Sequence, residues 1–184
     1  TGIFNERAQT LITRNIPKTT VEKDKQALEL AIKACQRHGI TSFHDAGASR
    51  ESIALFHEFK QQEALGLRLY VMLTGRDKEL LEEWYERGPE IDTLQNLLTI
   101  RSVKLHCDGA LGSRGAWLIK EYTDRPGHFG HETLPMEFVL ETANKALKSG
   151  FQVCSHAIGD RANREVLDRY QAAFELNPQL TDNH

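Results

Sequence analysis

The sequence predicts an α/β domain on a parallel sheet, and three observations carry that prediction. Short β-prone runs alternate with amphipathic helical stretches to give four strand–helix pairs. One run, LRLYVML at residues 67–73, is almost continuously apolar, as expected of a strand covered on both faces. Another, residues 100–108, sets Val103, Leu105 and Cys107 against Lys104, His106 and Asp108 and runs into a glycine-rich loop. Alternating βα units imply right-handed parallel crossovers. Four units make either a small open sheet or half of a (β/α)8 barrel, because a closed barrel typically takes ~250 residues and the chain has 184.

Each element has its own signal. Phe4, Ala8, Leu11 and Ile12 stand at helical spacing before Pro17, which predicts a short amphipathic helix or lid. Thr19-Thr20-Val21-Glu22 reads as a capping box, and Leu28, Ala31, Ile32 and Cys35 form an apolar stripe that Gly39 stops. Residues 40–44 read as a strand, with Asp45-Ala46-Gly47 as the turn after it. Ile53, Phe56 and Phe59 mark a helix over residues 50–65, before the strand at 67–73. Asp77 caps a helix carrying Leu81, Trp84 and Tyr85, which Gly88-Pro89 ends.

After the central strand, residues 109–132 show little periodicity and contain Gly109, Gly112, Gly115, Gly127 and Gly130. A loop of that length in a compact domain is usually functional or disordered. Pro135 suits a first helical position, with Met136, Val139, Leu140, Ala143 and Leu147 as the apolar face up to Gly150. Residues 151–156 form the last strand, and Asp160 caps a helix with Val166, Leu167, Tyr170 and Phe174 that Asn177-Pro178 ends. No repeat and no linker interrupts residues 1–184, so one domain is expected.

Composition narrows the function classes. The chain is 40% hydrophobic and 27% charged, the balance of a soluble globular domain. A net charge of −3 gives no reason to expect a nucleic-acid or anionic-membrane partner. No apolar run approaches the roughly 18 residues of a membrane span. Cys35, Cys107 and Cys154 show no C-x-x-C spacing, which argues for reduced thiols in the cytoplasm rather than a disulfide framework. The chain opens at Thr1 without a methionine and stops at His184 without a terminating signal, so an excised section is expected.

Lys104 and His156 are the residues with chemistry to offer. The glycine spacing of the loop matches neither a P-loop nor a dinucleotide fingerprint, and no G-x-S-x-G or H-E-x-x-H occurs. Lys104 reads ordinarily as a strand lysine reaching solvent or pairing with Asp108. Buried, its amine would be driven toward the neutral form, which can take up CO2 as an anionic carbamate able to bind divalent metal. His156 alone reads ordinarily as a core histidine. At the C-terminal end of a strand beside that of Lys104, it is placed as a neutral imidazole ligand, and two such ligands around an open site suit a metal hydrolase. His128 and His131, separated by Phe129 and Gly130 in a glycine-rich loop, read as solvent- or substrate-facing rather than as ligands.

The stretches VKLHCDGALGSRGAWL and SHAIGDRA together resemble amidohydrolase family 3, the branch that includes N-substituted formamide deformylases and exoenzyme regulatory proteins. GITSFHDAG and the opening TGIFNERA resemble the same branch, so the likeness runs through most of the chain. The resemblance implies a metal-dependent (β/α)8 barrel that hydrolyses amide-type C–N bonds in small molecules. It also implies a divalent metal, one ion or two and zinc by preference, held by a first-strand His-x-His, a fourth-strand lysine, fifth- and sixth-strand histidines and an eighth-strand aspartate. Lys104 and His156 match the fourth- and fifth-strand positions, as metal ligands and catalytic residues. No His-x-His occurs, and no strand follows the last helix. His184 stands where the next strand would only be starting and is not counted as a ligand.

The expectation is therefore a partial (β/α)8 barrel, strands two to five of the parent, inactive by itself. Asp108, Arg114, His128 and His131 are candidates for orienting substrate. A non-catalytic regulatory or binding protein on the same scaffold is the alternative. The strands at 40–44 and 151–156 would be unpaired edges, and self-association through them is expected.

Overall fold

The computed structural model describes Phe4 and residues 6–183. In chain order the helices are α1 (Thr10–Thr13), α2 (Val21–Arg37), α3 (Arg50–Gln61), α4 (Lys78–Arg87), α5 (Met136–Ser149) and α6 (Asp160–Leu176). The strands are β1 (Ser42–Ala48), β2 (Arg68–Thr74), β3 (Glu90–Ile91), β4 (Leu98–His106) and β5 (Gln152–His156). Short 3-10 turns lie at Glu6–Gln9 and Pro178–Asn183. All four predicted strand–helix pairs are present. No helix among the described residues is long and apolar enough to cross a membrane.

β1, β2 and β4 run parallel in that order, β3 pairs antiparallel with the start of β4, and β5 pairs with β4. β3 went unpredicted, since two residues carry no periodic signal. Chain packing divides into two compact units. One runs over Lys18–Lys104 and Lys148–Cys154, and the other gathers Leu105–Leu147, the stretch from Ser155 onward and the N-terminal segment.

In the unit containing β1 and β2, the core follows the strand alternation. Leu69, Val71 and Leu73 are buried, at 7%, 0% and 0% exposure, while Tyr70, Met72 and Thr74 between them are half-buried. Full burial of each such aliphatic side chain is worth about 1.5–3 kcal/mol. Trp84 and Tyr85 of α4 meet Phe151 edge-on, with ring centroids 6.5 and 5.9 Å away. In the other unit Val139, Ala143 and Ala146 of α5 and Ala162, Val166 and Ala173 of α6 are buried.

Several local expectations are corrected. Asp45-Ala46-Gly47 is not a turn but part of β1. Gly47 takes φ +118°, a region open to glycine, and the pairing steps from Ala46↔Met72 to Ala48↔Leu73 across it. The capping residue of α2 is Thr20, whose hydroxyl accepts from the Lys23 amide at 3.4 Å, so the cap starts one residue later than the box suggested. The capping residue of α6 is Gly159. Asp160 instead accepts from the amide of Ile119 at 2.8 Å. Ser49 caps α3, its hydroxyl accepting from the Ser52 amide, and Asp77 caps α4 as expected. The predicted N-terminal helix is a 3-10 turn followed by the four-residue α1, with Leu11 and Ile12 exposed.

Candidate functional site

β4 carries the predicted lysine. Its pairing with β2 steps from Val71↔Ile100 to Met72↔Ser102, skipping Arg101. Beyond that step Ser102, Lys104 and His106 share one side of the strand, while Val103, Leu105 and, just past its end, Cys107 are buried on the other. Lys104 is half-buried, stands opposite Thr74, and its carbonyl accepts from the Gly75 amide at 2.9 Å. A Cβ at Gly47 would come to 4.0 Å from Lys104 Cγ, so the lysine stem lies across the sheet toward the bulge of β1.

His156 closes β5. Its carbonyl accepts from the Cys107 amide at 2.9 Å, which sets the end of β5 against the end of β4. The ring of His156 faces that of His106, with centroids 5.6 Å apart and planes tilted by 37°. The carbonyl of His106 accepts from Thr133 Oγ1 at 2.6 Å. His106 lies within the VKLHCDGALGSRGAWL stretch, where it was read only as a same-face neighbour of Lys104. Its register with β5 is the signal that finds it.

Asp108 lies one residue past Cys107 and is 3% exposed. Its carboxylate accepts from the amides of Trp117, Ile158 and Gly159 at 2.9, 2.9 and 2.8 Å. The side chain thus binds the loop to the turn after His156. The turn fits only because residue 159 is glycine, as a Cβ there would overlap the backbone carbonyl of Trp117.

The long loop is hydrogen-bonded throughout, though it forms no helix. Gly115 and Ala116 donate to the Ala110 carbonyl, Leu118 to Phe129, Tyr122 to His128, and Thr133 to Cys107. Arg114 grips Asp124 through Nε and Nη2 at 3.1 and 2.7 Å, which holds the Asp124 carboxyl below its ordinary value. His128 Nε2 lies 2.8 Å from the Arg114 carbonyl and its ring is 5.6 Å from that of Tyr122. His131 is half-buried next to Glu132, whose backbone bridges Asp108. Arg114 and His128 are therefore brought together in the loop.

Lys104 lies on β4 and His156 closes β5, which pairs with β4, and the rings of His106 and His156 lie side by side at the ends of these strands. The donors suit a divalent ion of borderline softness, which takes neutral imidazole nitrogen readily. Two imidazoles with centroids 5.6 Å apart supply at most part of a coordination sphere. Among the described residues no group of three or more His, Cys, Asp or Glu side chains gathers to complete one.

A second feature lies at the end of β1. A cleft of about 600 Å³ is lined by Lys18, Asp24, Asp45, Ser49 and Phe56, among others. Desolvation raises the carboxyl of Asp45 above its ordinary range.

Comparison with known proteins places this architecture. The chain is 29% identical to Protein LONG AFTER FAR-RED 3 of Arabidopsis thaliana, over 96% of the chain and 32% of that protein. It is 26% identical to the exoenzymes regulatory protein AepA of Pectobacterium carotovorum subsp. carotovorum, over 98% of the chain and 39% of that protein. The chain thus spans about a third of the length of the curated relatives it matches. A solved structure described as an uncharacterized metal-dependent hydrolase from Pyrococcus furiosus superposes with a TM-score of 0.76 at 28% identity. That match covers 91% of this chain and 36% of the other, so the α/β sheet is a partial barrel. The amidohydrolase family profile matches residues 1–183, and the chain belongs to that family.

Proposed function

We propose that the protein carrying this chain is a metal-dependent amidohydrolase cleaving amide-type C–N bonds in small molecules, and that residues 1–184 are a fragment inactive alone. What supports the reading is the match of residues 1–183 to the amidohydrolase family, with Lys104 on β4 and His156 closing β5. The metal-dependent hydrolase from P. furiosus supports the divalent ion.

Lys104, as its carbamate, and His156, through one ring nitrogen, would hold the metal, with zinc the ion that suits them best. When bound, the ion supplies Lewis acidity toward the amide carbonyl and a water molecule. Asp108 positions His156 by fastening the turn that follows it. Arg114, His128 and His131 orient substrate from the loop, with Arg114 held by Asp124. The protein works in the cytoplasm, a reading supported by three free cysteines. No nucleic acid or membrane takes part. The fragment self-associates through the outer edges of β1 and β5, each of which has one strand partner among the described residues. A monodisperse monomer by light scattering at high concentration would count against that last point.

The test is hydrolysis of a panel of N-acyl and N-formyl compounds by the full-length protein and its variants. Lys104→Ala and His156→Ala are expected to abolish turnover with the fold intact by circular dichroism. Full activity in Lys104→Ala overturns the assignment. The name of AepA favours one second reading, a non-catalytic regulator on this scaffold. Full-length protein that holds no metal and turns over nothing in the panel would support it.

A further inference from the structure

The ring pair at the ends of β4 and β5 has a geometry of its own. A metal–imidazole nitrogen distance is about 2.0–2.1 Å, which puts each ring centroid roughly 3.2 Å from the ion. Two imidazoles on one ion, at angles from tetrahedral to linear, then have centroids about 5.2–6.4 Å apart. The rings of His106 and His156 are 5.6 Å apart. Their planes are tilted by 37°, not stacked face to face.

Both backbones are already fastened. Thr133 holds the His106 carbonyl, and the Cys107 amide holds that of His156. Asp108, two residues after His106, binds Ile158 and Gly159, which come two and three residues after His156. Little backbone ordering is left to oppose binding, which is how a preorganised pair gains affinity. His106 is exposed and His156 half-buried, so solvent reaches the pair and an ion has a way in.

We propose that His106 and His156 form a bis-histidine site for a borderline divalent ion such as Zn2+, Ni2+, Co2+ or Cu2+, in which His106 is a ligand in its own right. Its remaining positions are filled by water or by an incoming donor. The role of the ion in hydrolysis rests on the proposed function, with which the site shares His156. Binding itself requires both imidazoles, whether or not Lys104 is carbamylated.

The test is titration of the 184-residue chain with Ni2+ and Co2+, following the melting temperature and the visible absorption of bound cobalt. The chain has 8 histidines, so variants decide which of them bind. His106→Ala and His156→Ala should each weaken binding at least ~tenfold, and loss of an exposed histidine outside the pair, His38→Ala at the end of α2, should leave it unchanged. His106→Gln, which keeps the side chain polar and of similar reach, should behave as His106→Ala and guards against a folding artefact. Affinity unchanged by loss of His106 but abolished by loss of Lys104 or His156 would overturn the inference and leave the amidohydrolase reading standing. Binding that survives the loss of both histidines, or no binding by the unaltered chain, overturns it too. Tight bis-histidine binding in a full-length protein without hydrolytic activity would sustain the site and defeat the hydrolase reading.

Discussion

Asp92 and Asp108 do the same job at two different ranges. Each carboxylate accepts three backbone amides. Asp92 takes those of Leu94, Gln95 and Leu97, two to five residues away, and adds an ion pair to Lys60 at 3.1 Å. Asp108 takes those of Trp117, Ile158 and Gly159, which lie 9, 50 and 51 residues away. Asp92 shapes one turn before β4, and its loss leaves donors that water can reach once the turn loosens. Asp108 joins a strand end, a loop and a helix start, and its own side chain is buried, at 3% exposure. Range, rather than the number of bonds, decides how much structure a carboxylate commands.

That contrast can be tested from its strong side downward. Asp108→Ala strands three amides and should cost about 3 kcal/mol or more, a fall in Tm of roughly 6–12 °C for a chain of this size. Differential scanning calorimetry measures it, and a loss no larger than that of Asp92→Ala would erase the distinction. Gly159→Ala keeps the carboxylate but drives a methyl into the Trp117 carbonyl. It should cost about 1–3 kcal/mol and remove the protection from hydrogen exchange at Trp117 and Gly159.

Asp92→Asn should cost less than either, and its cost should depend on pH. Backbone amides, first among them that of Gln95, together with Lys60 hold the Asp92 carboxyl below its ordinary value of 3.8. A folded-state value below the unfolded one stabilises above the unfolded value and is lost as pH falls through the folded one. The gap between native and Asp92→Asn proteins in urea melts should therefore be full at neutral pH and narrow below about pH 4. The smallest effect, and of opposite sign, belongs to Asp45. Its carboxyl is raised by desolvation, so its charge destabilises the fold above the folded-state value and ceases to do so once protonated. Asp45→Asn should gain a little stability at neutral pH and none at the acid end. A loss at neutral pH would show the charge to be satisfied by a group other than those lining the cleft.

These carboxylates also mark where sequence reasoning reached its limit. Asp77 as a cap and the alternation of Val103, Leu105 and Cys107 were legible because the partners lie within a few residues or on the same strand. Asp160 was read as a cap by the same logic, but a more distant donor, Ile119, uses it instead. Asp108 was read as substrate-orienting because it follows the strand of Lys104. Its three donors come from a loop and a turn that no local pattern ties to it. His106 had no role assigned to it within its motif, and only the pairing of β4 with β5 shows it beside His156.

By itself the sequence determined the order of the four strand–helix pairs, the buried faces of β2, α3, α4 and α5, and, through two motifs, the family, while Leu167 and Phe174, read as part of the apolar face of α6, are exposed. These depend on periodicity and on short-range chemistry, which the chain carries from residue to residue. The tertiary structure alone decided that Gly47 lies inside a strand, that Asp108 is spent on backbone amides, and that His106 meets His156. It also decided that residue 159 must be glycine. The φ of Gly159 is −68°, open to any residue, and what excludes a side chain is the backbone of Trp117 packed against it. Contacts between segments that are far apart in the chain leave no periodic trace, because their partners are chosen by the packing of the whole.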